Sequence, residues 1–289
     1  MANLKEIRRR ITSVQGTQKI TRAMKMVAAA KLRKAQEQAE RFREYSRLTS
    51  DVLSEVAADA TDAVHPLLQR RDVKRSLIVV VSSDRGLCGG FNSNLNRLVA
   101  DRLKRSEVPA KLAVVGKKSK SYFEHRHVEI EQYYSDILDE LNYDRAASIA
   151  KELAALYEMG EYDSISLAYN EMISVVSQVP AVHPLLPVAP PEKTEESSKE
   201  IGPAGFVFEP DKKALLASLL PRYVEVKVFG ALLESVAAEH AARMSAMETA
   251  TNNAQDMIDS LTLVYNRARQ SAITGELMDI VGGAEALND

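Results

Sequence analysis

The residues best suited to chemistry lie in one glycine-rich stretch, Ser82-Ser-Asp-Arg-Gly-Leu-Cys-Gly-Gly-Phe91. It follows an apolar run and precedes an amphipathic segment, and a glycine-rich turn in that position can hold phosphate with backbone N–H groups and the helix dipole. However, the stretch contains neither GxxxxGK[ST] nor GxGxxG, and no lysine stands where a phosphate would need one. Two interpretations stay open: a phosphate site in an α/β enzyme, and a structural turn formed by Gly86, Gly89 and Gly90.

The cysteine and the histidines add little further chemistry. Arg85 could lower the thiol pKa of Cys88, but no histidine lies near it in the sequence to act as a base, which favours a structural thiol. A single cysteine excludes an internal disulfide and is typical of a reducing compartment. Only His125 and His127 lie close together, and no carboxylate or cysteine is spaced to complete a metal site. We therefore expect no catalytic residue, no cofactor and no metal.

The charge is distributed unevenly along the chain. The 289 residues carry a net charge of -2, but thirteen Lys or Arg oppose four Asp or Glu between Met1 and Arg47. Between Ala231 and Asp289, three Arg oppose nine acidic residues. The two ends could attract each other, the basic end could face an acidic partner, or both could be solvated helix faces. No apolar run approaches the roughly 20 residues that span a bilayer, and no secretory signal begins the chain, so we expect an intracellular protein.

Both ends of the chain have the pattern of long amphipathic helices. Residues 3–58 contain no proline and a single glycine, Gly16, and their apolar residues recur every three or four positions. Near the other end, alanines recur at intervals of four: Ala238, Ala242, Ala246, Ala250 and Ala254. Such a ridge of small residues lets a second helix approach closely. The sequence therefore predicts an antiparallel or oblique coiled coil of the two ends, with two independent helices as the alternative.

Strand and helix patterns alternate between the two ends. Strands are predicted over 76–81, 111–115, 163–168 and 171–178, with a turn at Tyr169-Asn170, and helices over 93–105, 119–125 and 144–159. This alternation predicts an α/β fold with a small, mostly parallel, Rossmann-like sheet. The proline-rich residues 180–205 predict an irregular loop or linker. The predicted domains are residues 1–60 and 211–289, which form the two coiled-coil helices, and 75–205, the α/β domain.

The basic run near the N-terminus indicates a protein partner. Its Lys and Arg residues surround the helix instead of following one stripe. Nucleic-acid binding is disfavoured because base-reading clusters and aromatic residues are missing, and membrane-surface binding because there is no Trp or Phe on an apolar face. Long basic side chains suit an acidic protein surface, and Met24 and Met26 are deformable enough to repack against it.

Four blocks of the sequence resemble the gamma subunit of F-type ATP synthases, and the resemblance extends over the whole chain. The blocks are LKEIRRRITSVQGTQKITRAMKMVAAAKLRKAQ, SDRGLCGGFN, EHAARMSAMETATNNAQDMI and LVYNRARQSAITGELMDIVGGAEAL. The resemblance implies a central-stalk rotor without an active site, whose coiled coil enters the alpha3beta3 ring. It also implies that the middle domain contacts the epsilon subunit and the membrane c-ring, at the cytoplasmic face of the inner membrane.

The resemblance also implies which residues contact partners. Met24 and its basic neighbours are expected to face an acidic loop of the beta subunit, and residues of the C-terminal helix match positions associated with coupling. The expected alpha and beta contacts are Arg22, Met24, Lys25, Lys31, Arg33, Arg243, Gln255, Arg267, Arg269, Gln270, Thr274 and Glu276. The middle of the chain has no cysteine pair, so thiol regulation of the chloroplast type is not expected.

Overall fold

The computed structural model describes residues 4–57, 65–189 and 212–285, and these form five α-helices, a short 3-10 helix and five strands. The helices are α1 Leu4–Ala57, α2 Phe91–Arg105, α3 Lys117–Glu124, α4 Tyr143–Glu158 and α5 Lys212–Glu285. The strands are β1 Ser76–Val81, β2 Ala110–Val115, β3 Ile130–Tyr134, β4 Ser164–Met172 and β5 Gln178–Leu186, and the 3-10 helix is Pro66–Leu68. None of the described helices combines the length and apolar character needed to cross a membrane.

The five strands form one sheet in the order β3-β2-β1-β4-β5. β1 pairs in parallel with both β2 and β4, β2 pairs in parallel with β3, and only β5 is antiparallel to its neighbour. Helices cover both faces, which is why central β1 is apolar along nearly its whole length instead of alternating. The predicted α/β fold with a mostly parallel sheet is therefore confirmed.

Two observed strands, one turn and the strand predicted over 171–178 differ from the sequence prediction, since residues 173–177 of that stretch lie between β4 and β5. β3 was not predicted, and β5 lies partly in the stretch predicted as an irregular loop. The predicted turn at Tyr169-Asn170 is wrong, because both residues lie inside β4 and the turn falls at residues 173–177. Pro180 and Pro184 made the sequence of β5 resemble a loop. An edge strand nevertheless tolerates prolines, because its outer N–H groups need no partner. The rest of the predicted loop, residues 190–205, lies outside the described residues.

The sheet separates two apolar cores. Ile78 and Val80 of β1 face the side covered by α2 and α3, with Leu95, Val99 and Phe123 packed against them. The alternate residues of β1 face α4 and parts of α1 and α5, in a larger cluster. This division follows from the period-2 alternation of side chains along a strand. The larger core therefore fixes both long helices to the sheet.

The residues group into two compact units, and both long helices contribute to each. One unit consists of residues up to Ala28 with those from Met244 onwards, and the other of residues Ala29–Arg243. Within the second unit, the rings of Phe42 on α1 and Phe229 on α5 meet edge to face at 4.8 Å. Both helices cross their unit boundary without a break in helical structure.

Candidate functional site

The carboxyl ends of β1 and β4 form the position where open α/β sheets usually bind ligands. The chain leaves β1 for β2 on one side, whereas β4 lies on the other side, so the strand order reverses between them. The segment that follows β1 at this edge, residues 82–90, is called the glycine-rich loop below. Any phosphate or substrate site in this domain is expected here.

Helix α5 of the same chain occupies this crevice. The Ser235 hydroxyl donates to the carbonyl oxygen of Val81, the last residue of β1, at 3.5 Å. On the other side, a carboxylate oxygen of Glu234 accepts a hydrogen bond from the backbone N–H of Met172, the last residue of β4, at 3.2 Å. Consecutive residues of α5 thus bind the ends of the two strands that flank the crevice.

Small side chains let α5 approach the glycine-rich loop. Ala238 and Ala242 are buried and pack against Cys88 and Phe91, in a cluster that also contacts Met172. Alanine leaves room for the loop backbone, and larger side chains at these two positions would push the helix out. The alanine spacing seen in the sequence therefore serves contact with the loop at these positions.

Arg243 ties the loop to α5 by hydrogen bonds. Its Nη2 donates to the carbonyl oxygens of Arg85 and Gly86, at 3.3 and 3.2 Å, and its Nη1 donates to Glu239 Oε1 at 2.6 Å. Only 12% of the Arg243 side chain and 11% of the Glu239 side chain are exposed. Burial raises the pKa of Glu239, while the adjacent guanidinium opposes that shift. The pair is therefore a buried link between loop and helix.

Hydrogen bonds from within the chain engage the polar groups of Ser83 and Asp84 in the loop. The Ser83 N–H donates to Asn92 Oδ1 at 3.0 Å, and Asn92 Nδ2 donates to the Ser83 hydroxyl at 2.7 Å. The N–H of Lys117, at the start of α3, donates to Asp84 Oδ1 at 2.9 Å. These N–H groups lie at the carboxyl edge, where a phosphate would seek donors. The side-chain oxygens of Asn92 and Asp84 accept these hydrogen bonds instead.

The three glycines predicted to form the turn have different roles. Gly89 has φ +59, a conformation that glycine adopts without strain. At Gly90, an added Cβ would lie 2.9 Å from the Asn94 side chain, so the Asn94 side chain lies too close for a larger residue at Gly90 unless it moves. Gly86 meets only the end of the Lys118 side chain, at 3.7 Å. Leu87 also adopts a left-handed conformation, φ +64, which is uncommon for a bulky residue and gives the loop its tight bend.

The surroundings of Cys88 are unsuited to thiolate chemistry. The side chain is 2% exposed, and burial raises its pKa even though Arg243 and a hydrogen bond from Ser83 act in the opposite direction. This is contrary to the lowering by Arg85 that was considered from the sequence. Among the described residues, no group of three or more His, Cys, Asp or Glu side chains is arranged to hold a metal ion.

In the other unit, α1 and α5 are joined by polar side chains. The pairs are Gln18 with Gln255 at 2.9 Å, Thr21 with Thr251 at 2.8 Å, and Lys25 with Glu248 at 2.6 Å. Residue numbers rise along one helix as they fall along the other, so the helices are antiparallel. Carried back to Leu4, this register reaches α5 near Arg269. The later residues of α5 therefore extend past the start of α1.

The structure separates the predicted contact residues into three groups. Lys25, Gln255 and Arg243 are engaged in contacts inside the chain. Met24 is half-buried. The others are exposed on α1 or α5, although Arg33 also pairs with Glu37 on its own helix at 3.2 Å: Arg22, Lys31, Arg33, Arg267, Arg269, Gln270, Thr274 and Glu276.

Sequence reasoning missed Glu239 and Asn92, the residues that complete the links around the loop. Glu239 precedes Arg243 by four residues, a spacing that predicts a pair on one helix face. Asn92 stands in the block SDRGLCGGFN, but no local pattern shows that its amide turns back to Ser83.

Comparison with known proteins places this geometry in a family. The family model described as ATP synthase matches residues 3–287. The chain is 46% identical to the ATP synthase gamma chain of Moorella thermoacetica over 287 residues, which are 99% of this chain and 100% of that protein. It is 49% identical to the ATP synthase gamma chain of Anaeromyxobacter dehalogenans (strain 2CP-C) over 297 residues, with the same coverage. The chain belongs to the ATP synthase gamma chain family.

Solved structures share the gamma chain fold described above. A chain in the central stalk and c-ring structure of the Tetrahymena thermophila mitochondrial ATP synthase is 28% identical, with a TM-score of 0.59, over 80% of this chain and 99% of that chain. A chain in a Euglena gracilis mitochondrial ATP synthase structure containing OSCP, F1 and the c-ring is 22% identical, with a TM-score of 0.69, over 98% of this chain and 94% of that chain. The second likeness concerns the fold alone.

Proposed function

We propose that this chain is the central-stalk rotor subunit of an F1Fo ATP synthase and has no active site of its own. In this role it couples ion flow through the membrane c-ring to ATP synthesis or hydrolysis at the beta subunits by rotating. Support comes from membership of the gamma chain family and from the crevice of the α/β domain, which α5 fills. Residues 1–60 and 211–289 would supply the shaft, and residues 75–205 the domain at its base.

The observation that carries this proposal is the exposed apolar surface on the C-terminal part of α5. Ile273, Leu277, Ile280 and Val281 are 50–71% exposed and stand at positions i, i+4, i+7 and i+8, so they share one helix face. Apolar side chains exposed in series mark a surface that contacts another protein. A chain that works by contact with a partner explains this surface, whereas catalysis at the glycine-rich loop does not.

The proposed partners are those that the resemblance implies, and the neighbouring solved structures contain F1 and the c-ring. They are the alpha3beta3 ring around the coiled coil, and the epsilon subunit and c-ring at the α/β domain. The proposed location is peripheral, at the cytoplasmic face of the inner membrane, within the F1 sector. Neither nucleic acid nor a membrane span has a part in this proposal.

The proposed contact residues are those predicted from the resemblance. Exposed basic side chains such as Arg22, Lys31 and Arg33 are placed to meet acidic groups of a beta subunit, and half-buried Met24 can repack as that surface changes. The exposed polar residues at the end of α5 would form a second contact region, which consists of Arg267, Arg269, Gln270, Thr274 and Glu276.

Charge reversal on α1 tests the proposal. We expect Lys25→Glu and Arg33→Glu to lower the ratio of proton pumping to ATP hydrolysis in reconstituted vesicles by up to about fivefold, the equivalent of roughly 1 kcal/mol for an exposed ion pair. Unchanged ratios for both reversals would contradict the proposed contacts.

The internal ion pair of Lys25 requires a control, because Lys25 binds Glu248 on α5. The double variant Lys25→Glu/Glu248→Lys restores this pair with its charges exchanged. If Lys25 acts on a partner, the exchanged pair leaves the ratio low. If the ratio returns to the native value, Lys25 serves only the pairing of the two helices.

A further inference from the structure

We propose that Glu234 and Arg243 are positioning residues that prevent α5 from turning within the crevice of the α/β domain, with Arg243 acting through the glycine-rich loop. This inference deepens the proposed function and rests on it, because a rotor must transmit torque between its domain and its shaft. It assigns Arg243 a role inside the chain in addition to the partner contact that the resemblance implies.

The alanine surface of α5 cannot prevent turning by itself. Ala238 and Ala242, which face Cys88 and Phe91, carry only methyl groups. Methyl groups form no interlocking knobs, and dispersion contacts between smooth surfaces change little as one surface slides over the other. Resistance to turning must therefore come from directional contacts.

Glu234 and Arg243 supply such contacts on opposite sides of the helix. They are nine residues apart, which at about 100° per residue places them roughly 180° apart around the helix axis. Glu234 holds the N–H of Met172 at the end of β4, and Arg243 holds the carbonyl oxygens of Arg85 and Gly86 beyond β1. A turn of α5 in either direction lengthens one set of hydrogen bonds or the other.

The Arg243 contact is suited to resist force because a planar guanidinium directs several N–H groups at once. Nη2 binds the two loop carbonyls while Nη1 binds Glu239, so the side chain cannot swing away without breaking a buried ion pair. The loop in turn is held to β1 and α2 by Ser83 and Asn92. A continuous set of hydrogen bonds thus connects α5 to the sheet.

The only cysteine of the chain reports on this contact. Cys88 is buried where the loop meets Ala238 and Ala242, so it reacts with a maleimide only when the loop separates from α5. We expect Arg243→Gln to raise its labelling rate in the full-length chain about ten- to hundredfold, the loss expected for hydrogen bonds from a charged group. Exposed Arg97 on α2 provides the matched control, and Arg97→Gln should leave the rate unchanged.

Labelling in low urea separates local opening from global unfolding. A local release of the loop gives a rate that hardly depends on urea, whereas unfolding exposes much surface and gives a steep dependence. A steep dependence in Arg243→Gln would mean that the residue only stabilises the fold, which would overturn the proposal.

The double variant Glu239→Gln/Arg243→Gln tests whether Arg243 merely neutralises Glu239. It contains no unpaired buried carboxylate, yet it still lacks the donors to the loop. We expect its Cys88 labelling to stay fast. A return to the native rate would overturn the role of the loop contact.

The assembled enzyme then tests torque. Arg243→Gln and Glu234→Ala should each lower the ratio of pumping to hydrolysis, whereas defective assembly would lower both rates in proportion. If labelling accelerates but the ratio is unchanged, the link exists and its role in torque is overturned, while the rotor function stands. If the charge reversals on α1 also leave the ratio unchanged, the proposed contacts of α1 with a partner are overturned as well.

Discussion

At the residue scale, the surroundings of His240 decide its charge. Burial lowers the pKa of His240 to about 4, and the cations Arg243 and Lys31 add to this shift, although Asp139 opposes it. The imidazole is therefore neutral at physiological pH and leaves Glu239 to the guanidinium of Arg243.

This shift predicts a pH dependence of stability. Because the pKa of the folded state lies below the ordinary value of 6.5, only the unfolded chain binds a proton at His240 between about pH 6.5 and pH 4. The stability that the neutral His240 contributes is thus fully present above pH 6.5. It is lost as the pH falls, because the proton that binds only the unfolded chain favours unfolding. We expect the free energy of unfolding, measured in urea at pH 7 and pH 4.5, to fall less in His240→Gln than in the native chain.

Glu239 does not alter this comparison. Its raised pKa means that the folded state binds the proton more readily, which acts in the opposite direction as the pH falls. Both proteins contain Glu239, so its effect largely cancels in the difference. An equal fall in the two proteins would show that His240 is not desolvated.

Two glycines predict opposite effects of the same substitution. Gly116 has φ +97, and an added Cβ would overlap the backbone carbonyl of Ser82. We expect Gly116→Ala to lower the free energy of unfolding by about 3 kcal/mol or more.

Gly16 lies inside α1 with no atom near its missing Cβ, so Gly16→Ala should raise the free energy of unfolding by about 0.5–1 kcal/mol. Chemical denaturation measures both, and a loss of stability in Gly16→Ala would reveal a close contact at that position.

At the element scale, α5 presents different surfaces along its length. Beside the sheet it buries small residues, further along it faces α1 with polar side chains, and towards its end it exposes apolar ones. One continuous helix can do this because its backbone hydrogen bonds close within the helix, whichever side chains face outward. The single proline, Pro221, lies in the third turn from its beginning.

The close approach of α5 to the loop predicts a size limit at Ala238. This side chain is fully buried beside Cys88, so Ala238→Leu should cost about 1–3 kcal/mol of stability through overpacking. Exposed Ala30 on α1 is the matched position, and Ala30→Leu should change stability by less than about 0.5 kcal/mol. Thermal unfolding of both variants measures the difference, and equal effects would mean that the crevice has room for a larger side chain at Ala238.

At the scale of the whole molecule, the α/β domain has the topology of a ligand-binding fold but fills its own ligand position. Ser235, Glu234 and Arg243 take the strand ends and loop groups that a bound molecule would contact. Fold and function are separable for this reason, since function depends on the residues at the site.

The filled crevice predicts that the isolated chain neither binds nor hydrolyses ATP. A nucleotide would have to displace α5 from the sheet and break the buried Glu239–Arg243 pair. Titration calorimetry with ATP and Mg²⁺ should show no saturable heat at micromolar nucleotide, in the native chain and in Arg243→Gln alike. Saturation in the native chain would revive the phosphate-binding interpretation of the glycine-rich loop.

The sequence by itself determined the α/β class, both long helices and most strands, because apolar periodicity and the absence of breakers are local properties. It did not indicate β5, whose prolines are acceptable only at the antiparallel edge of a sheet. The sequence also contains no pattern that links Arg243 to the glycine-rich loop. Only the tertiary structure decided that they bind each other, since the contact joins residues 157 positions apart and depends on where α5 crosses the sheet.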